Sequence, residues 1–362
     1  MNKIDVFIVN YFCAHDTAHA IGHLGHDDHW RFWVIDNSHD DAQWNLLQSE
    51  LARLPVSVEL IRAPNNLGFG NACNTLFAKS QGDYCLLLNP DAQISAADLK
   101  ALSKSLDIAP TFAALAPLMR WQESDEWRIP TMTPQTSAHQ IGQAIASWHP
   151  RLLLAVWRRY YQAQQSVVTA HTIVTQTFLS GAILLIRRSA IHRISPTDHA
   201  LFDARFFMFF EDADLSRRLR LGGFKLGIVP GAQAMHLYQH KLHKNQLMQD
   251  SYAQYEVLHQ AWFRRFKSGW MFFDRLVRRF STAHTPVNVA SSLAQLNQAL
   301  GNRRLVAWSP SPTVMPAIWR NLTEQSGPSF TSHSWDALIP GHYYGVAIDR
   351  DSTLTWIGFE RV

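Results

Sequence analysis

Four short apolar runs, IDVFIVNY, WRFWVID, VSVELIRA and DYCLLLN, all before residue 90, decide what class of fold this chain can take. They are rich in β-branched and aromatic residues and read as strands of the buried kind. The segments between them, such as NACNTLFAKSQ, are long enough for crossover helices. That rhythm predicts an α/β layered fold with a largely parallel sheet. In such sheets, ligands bind outside the carboxyl ends of the strands. The ends here are Asn10-Tyr11, Asp36-Asn37 and Asn89-Pro90-Asp91, polar residues set directly after apolar runs.

A length of 362 residues suggests two domains, or one large domain with an appendage. With 47% hydrophobic and 17% charged residues the chain can bury a substantial core. Its net charge of +4 suits phosphorylated ligands or an anionic membrane surface and is far from a nucleic-acid-binding composition. Cys13, Cys73 and Cys85 lack metal-ligand spacing, and an odd count argues for reduced thiols in a cytoplasmic protein. The chain opens on a strand-like run, so no secretory signal is expected. No apolar run reaches the roughly eighteen residues of a spanning helix.

Residues 120–170 are less regular, with Trp121, Trp127, Trp148 and Trp157 scattered among Pro, Thr and Arg. Order resumes at FLSGAILLIRR, a small-residue turn leading into a strand. FFEDADLSRRLRLGG follows as a helix expected from Glu211 to Arg220, stopped by Gly222-Gly223. FKLGIVP is a further strand. A basic aromatic helix occupies roughly 256–280, with turn punctuation at Ala283 to Pro286. The expected organisation is therefore a catalytic α/β domain over 1–255, a basic aromatic helical segment over 256–283 and a small α/β module over 284–362.

Several motifs carry chemistry. In LLLNPDA, proline ends the strand and projects Asp91 from the sheet edge, where it can bind a metal through hard oxygen or simply make an Asx turn. NNLGFGNACN holds Gly-x-Gly, but Cys73 stands where a dinucleotide fingerprint needs its third glycine. Close backbone approach to a ligand at Gly68 and Gly70 is the better reading. His15, His19, His23, His26 and His29 recur at helical spacings without a completing ligand set, so they read as surface or phosphate-facing residues. Glu211, Asp212 and Asp214 occupy the first turn of the expected helix, where its dipole favours negative charge. Asp214 can pair with Arg217 or Arg218. Capping does not explain the aromatic lead-in Phe206 to Phe210, which brings the acids against a desolvating wall and makes a general base there.

Taken in order, IVNY, VIDNS, NNLGFGNACN, GDYCLLLNPDA, FLSGAILLIRRSAI, FDARFFMFFEDADLSRRLRLGGFKLGIVP and the trailing His236 resemble the family 2 inverting glycosyltransferases of the GT-A fold, nearest to the rhamnosyltransferase-like subgroup. The resemblance covers about residues 4–236. It implies a Rossmann-like, mostly parallel mixed sheet with flanking helices. It also implies a donor site of Asn10, Asp36, Asn66, Gly68, Asn89 and Asp91, with Asp36 on the nucleotide base and ribose. Asp91 looks like the last acid of the family's Asp-x-Asp metal motif, whose first acid is Asn89 here, and His236 like the residue that completes Mg²⁺ or Mn²⁺ coordination. Asp212 is similar to the catalytic base, with Glu211 beside it for the acceptor sugar.

The implied activity is inverting hexosyl transfer from a nucleoside-diphosphate donor, dTDP-rhamnose in this subgroup, to a saccharide or lipid-linked saccharide of a cell-surface polysaccharide. A non-catalytic sugar-nucleotide-binding protein of the same fold is the alternative. AWFRRFKSGWMFFDRLVRRF repeats Phe263, Phe266, Trp270, Phe273, Val277 and Phe280 on one face, with six cations against Asp274. That pattern suits either peripheral contact with the inner face of the cytoplasmic membrane through 261–280, or packing on the protein.

Overall fold

In this computed structural model the described residues are 2–121, 127–131, 137–197, 199–237, 244–278, 289–300, 305–310, 316–322, 330–348 and 354–361. The expected end of the basic helix at Phe280 and the punctuation at 283–286 lie outside them.

The first four predicted strands form as read: β1 (Ile4–Asn10), β2 (Trp30–Asp36), β3 (Val58–Arg62) and β4 (Tyr84–Leu88). Between them run α1 (Ala14–Leu24), α2 (Asp41–Leu51) and α3 (Gly68–Lys79). Next come β5 (Ala92–Ile94), α4 (Ala96–Ile108), β6 (Phe112–Arg120), α5 (Ser137–Ala146), α6 (Pro150–Val168), β7 (Val174–Gln176), β8 (Ile183–Arg187) and α7 (Arg188–Ile194). The acidic helix α8 (Glu211–Leu221), β9 (Lys225–His236) and α9 (Lys244–His259) follow. After α10 (Ala261–Arg278) the chain gives β10 (Val289–Ala290), α11 (Leu293–Leu300), β11 (Leu305–Ser309), β12 (Ile318–Asn321), α12 (Ser332–Ala337), β13 (Gly341–Ile348) and β14 (Leu354–Arg361).

Nine described strands make one mixed sheet in the order β3-β2-β1-β4-β8-β6-β9-β5, with β7 on β9. The β3-β2-β1-β4 half is parallel, and β8 turns antiparallel against β4. Helices cover it, as expected of this α/β class. Every residue of β1 and of β4 is buried, which is why neither run alternates in sequence. Two apolar layers, one around Ile8, Val34 and Leu86 and the other around Phe7, Ile35 and Leu87, lie on the sheet's two faces.

The chain divides into two compact units. One comprises Met1–Leu118, Val167–His236 and His243–Leu258; the other comprises Met119–Ser166, Leu237–Leu242 and His259–Val362. The second unit holds a sheet in the order β10-β14-β13-β11-β12. Trp121 and Trp127 sit in its core with Trp308, Phe330 and Phe359, so two of the tryptophans of the irregular stretch serve as core residues there. The same stretch also contains α5 and α6, the second beginning at Pro150 and carrying three arginines.

Candidate active site

The carboxyl edge of the parallel half gathers the residues singled out by sequence. Asn10 and Asp36 are register partners on β1 and β2, and Asn10 Nδ2 donates to Asp36 Oδ1 at 2.9 Å. The backbone N–H and hydroxyl of Ser38 donate to the same oxygen, at 3.2 and 2.5 Å. Asp36 Oδ2 is buried and accepts no hydrogen bond. An unsatisfied carboxylate oxygen is expensive to bury, so its orientation fits a ligand donor.

One residue further, Asn37 clasps the glycine loop. Its Oδ1 accepts from Leu67 N at 2.9 Å, and its Nδ2 donates to Asn66 Oδ1 at 2.9 Å and to the Gly68 carbonyl at 3.2 Å. Gly68 has φ +77°, and a Cβ there would lie 2.1 Å from the Phe207 carbonyl oxygen. The Phe69 N–H donates to that same oxygen at 2.8 Å. Gly68 is therefore required by the Phe207 segment pressing on the loop, where the sequence suggested close approach of a ligand.

The FLSGA turn joins the two acidic motifs. The Gly181 N–H donates to Asp212 Oδ2 at 3.0 Å, and the next residue's carbonyl, that of Ala182, accepts from Asn89 N at 2.8 Å. Asp91 follows in the same turn, and β5 pairs with β9 so that Ala92 lies opposite His236. This brings Asp91 Oδ1 within 3.2 Å of His236 Nε2. The structure thus unites Asn89, Asp91, His236 and Asp212 around two consecutive residues, and links Asn10, Asp36, Asn66 and Gly68 through Asn37.

The histidines of α1 and of the turn after it go elsewhere. His15 faces Glu50, His19 meets Gln93, and His29, beyond the helix, faces Asp27. Among the described residues no group of three or more His, Cys, Asp or Glu is poised around a metal.

At the start of α8 the carboxylates divide their work. Asp214 is buried and paired with Arg218, Nε to Oδ2 at 2.6 Å, the structural ion pair expected of the motif. Glu211 is also buried, near Gly70 and Cys73, and its Oε2 accepts no hydrogen bond. Its carboxyl therefore packs against α3 in this structure. Burial, then the charge of Asp212, push the Glu211 carboxyl well above the usual carboxylate range.

Asp212 keeps part of its surface open. Burial pushes its pKa up to about 6, against the opposing pull of the Gly181 and Ala213 N–H groups. Two adjacent acids do not ionise cheaply side by side, so burial and the neighbouring charge disfavour the ionised form of Glu211. Phe210, the residue before the helix, has φ +65° and Phe209 +70°. These left-handed turns are costly for bulky residues and are held by packing of Phe210 on Tyr252 and Tyr255 and by Ser251 Oγ donating to the Met208 carbonyl at 2.6 Å. Sequence reading missed Gly181, Asn37 and the α9 tyrosines.

A carboxylate with this pKa would impose a pH dependence on any reaction that it assists as base. The free-enzyme profile, kcat/KM, is expected to fall about tenfold per pH unit below about pH 6. A limb near pH 4 would mark an ordinary exposed carboxylate and remove Asp212 as the controlling group. Stability runs the other way. Since the folded pKa lies above the unfolded one, the raised pKa costs stability as pH rises from about 4 through about 6.

A model of glycosyl transferase family 2 matches residues 5–194. The chain belongs to that family. The sheet with its flanking helices is accordingly of the GT-A type. Among curated relatives, an N-acetylglucosaminyl-diphospho-decaprenol L-rhamnosyltransferase of Mycobacterium tuberculosis is 28% identical over 207 residues, 54% of this chain and 62% of the relative. The rhamnosyltransferase WbbL of Escherichia coli is 24% identical over 225 residues, 59% of this chain and 75% of that one. The chain thus spans less than two thirds of the mycobacterial relative. Among solved structures, a mannosyltransferase from Pyrobaculum calidifontis in complex with GDP-Man and Mn²⁺ is 13% identical with a TM-score of 0.46, covering 68% of this chain and 59% of that one. The S. aureus protein TarS, residues 1–349, is 12% identical with a TM-score of 0.41, covering 72% and 73%.

Proposed function

We propose that this glycosyltransferase moves a hexose, with inversion, from a nucleoside-diphosphate donor to a saccharide or lipid-linked saccharide used in cell-surface polysaccharide. The observation that carries the reading is a single half-open carboxylate, Asp212, fastened by Gly181 beside the Asn89–Asp91 turn. Asp212 takes the proton of the acceptor hydroxyl as that oxygen bonds to the anomeric carbon. The bond from that carbon to the diphosphate breaks in the same displacement, and no covalent sugar–enzyme intermediate forms. Glu211, buried beside Asp212, holds the helix start against α3; meeting the acceptor sugar would require that packing to open.

Asp36 Oδ2 accepts from the nucleotide's base or ribose, which would satisfy its missing hydrogen bond. Asn10, Asn66 and Gly68 shape the donor side around it. Rhamnose as the sugar is supported by the names of both curated relatives cited above, and dTDP is the carrier that the resemblance to the rhamnosyltransferase-like subgroup implies. Residues 1–255 carry this chemistry, and peripheral work at the cytoplasmic face of a membrane belongs to the same reading, because a lipid-linked acceptor is presented there.

Asp91 and His236, a hard carboxylate oxygen and an imidazole nitrogen 3.2 Å apart, are the residues that would hold a divalent ion, Mg²⁺ or Mn²⁺. When bound, such an ion supplies positive charge to the leaving diphosphate. The protein's own part is to hold the carboxylate and imidazole at one edge and keep Asp212 on the other side of the Gly181–Ala182 turn.

The test is a panel of nucleotide sugars scored for protection against unfolding and for release of nucleoside diphosphate. At a hundredfold excess over Kd the true donor should raise Tm by roughly 5 °C or more. Exhaustive chelation is expected to abolish both effects. Protection without turnover on any acceptor would favour the non-catalytic reading, and full turnover after chelation would remove the metal.

A further inference from the structure

Helix α10 is an amphipathic element whose large aromatics are mostly left exposed. Among its described side chains none is buried, and Phe272, Phe266 and Trp262 are 72%, 66% and 60% exposed. Trp262, Phe266, Phe273 and Leu276 fall at intervals of four, seven and three, which places them on one face. This exposed stripe lies to one side of the face expected from sequence, because Trp270 and Val277 are half-buried. Trp148 explains the shift. Its indole N–H donates to Asp274 Oδ1 at 2.8 Å, and its ring packs on Trp270 and Phe273 with centroids 5.8 and 5.7 Å away. The helix is thus pinned along its Trp270–Asp274 flank, while the stripe beside it faces outward.

Charge completes the pattern. Over Ala261–Arg278 the helix carries Arg264, Arg265, Lys267, Arg275 and Arg278 against Asp274, and that carboxylate already accepts from Trp148. On the helix, Arg265 lies at the Leu276–Phe272 edge of the stripe and Arg275 lies beyond Phe272 on the same side. A pinned helix showing large aromatics beside guanidinium groups matches a surface that is apolar inside and anionic at its rim. Packing of the apolar face on the protein would bury those rings, and they are exposed.

We propose that the Trp262–Leu276 face of α10 docks in the headgroup layer of an anionic bilayer, with Phe266 and Phe272 entering the acyl boundary and Arg265 and Arg275 on lipid phosphates. The reason a membrane matters rests on the lipid-linked acceptor of the preceding reading; the contact itself rests on the helix. Leu152 and Val156, exposed one and two turns beyond Trp148 on α6 beside Arg151 and Arg159, extend the same chemistry.

The experiment is flotation of the full chain with phosphatidylcholine vesicles made with and without phosphatidylglycerol, at low and high salt. Binding is expected only with phosphatidylglycerol, and weakened by salt. The Phe266→Ser/Phe272→Ser variant should bind about a hundredfold more weakly. Arg265→Glu/Arg275→Glu should lose about 25-fold or more, near fivefold for each cation removed. Donor protection and unfolding temperature should stay unchanged in both, since these side chains touch no core. Failure to float with anionic vesicles at low salt overturns the proposal, as does equal binding by both variants. Sedimentation showing a wild-type dimer that the aromatic variant dissolves would assign the face to a second copy and overturn it too. None of these outcomes depends on sugar transfer, so loss of turnover would strike the activity alone.

Discussion

Replacing Asp212 with asparagine is expected to cut turnover by about 10² to 10⁴ while donor affinity changes little. The carboxylate accepts from two backbone donors, Gly181 on one oxygen and Ala213 on the other. An asparagine offers one oxygen, so one N–H is left facing an amide nitrogen, at a cost of about 1–3 kcal/mol. Removing a buried charge returns part of that cost. The variant should therefore fold, bind donor and fail to take the acceptor's proton, with its low residual rate no longer falling below pH 6. Steady-state turnover beside donor titration checks this, and a variant with near-normal turnover would end the assignment of Asp212 as base.

Gly68→Ala is expected to have the largest effect on stability of any single methyl group added to the site. The residue sits at φ +77°, a conformation costing a side chain about 1–2 kcal/mol, and the new Cβ would lie 2.1 Å from a carbonyl oxygen and 2.7 Å from the Phe207 ring. The neighbour is backbone, so relief requires the start of α3 to part from Phe207 and the Phe69–Phe207 hydrogen bond to break. A loss of about 3 kcal/mol or more follows, near 6–12 °C in Tm for a domain of this size. Gly231→Ala is the control, since no atom lies within 4 Å of its added Cβ. Thermal unfolding of the two variants separates the cases. Equal melting temperatures would show that the loop and the phenylalanine segment move independently.

The strands and their polar ends were legible because burial on both faces leaves unbroken apolar runs, and because β1 and β2 stop at Asn10 and Asp36. Helix α8 was legible from its acidic first turn and its glycine stop; the structure runs it from Glu211 to Leu221. The family match supports the resemblance drawn from seven ordered motifs. Other features left no readable mark. Gly181 holds Asp212 through an N–H that any residue but proline carries, so its identity is silent about the bond. Phe209 and Phe210 adopt left-handed turns that their type disfavours, sustained by Tyr252 and Tyr255 more than forty residues later. The pairing of Trp121 and Trp127 with Trp308 and Phe330 spans an even longer separation and shows no local period.

The ties among Asn89, Ala182, Phe69, Phe207 and Gly181 use main-chain atoms on at least one side. Such fastening is indifferent to what the side chains are and intolerant of any change in chain path. Descendants of this architecture can exchange the groups that line the sugar pocket one at a time without loosening the proton acceptor. Insertions or deletions in the same turns would unseat it at once. New specificities are thus reachable by substitution and closed to changes of chain length in these turns.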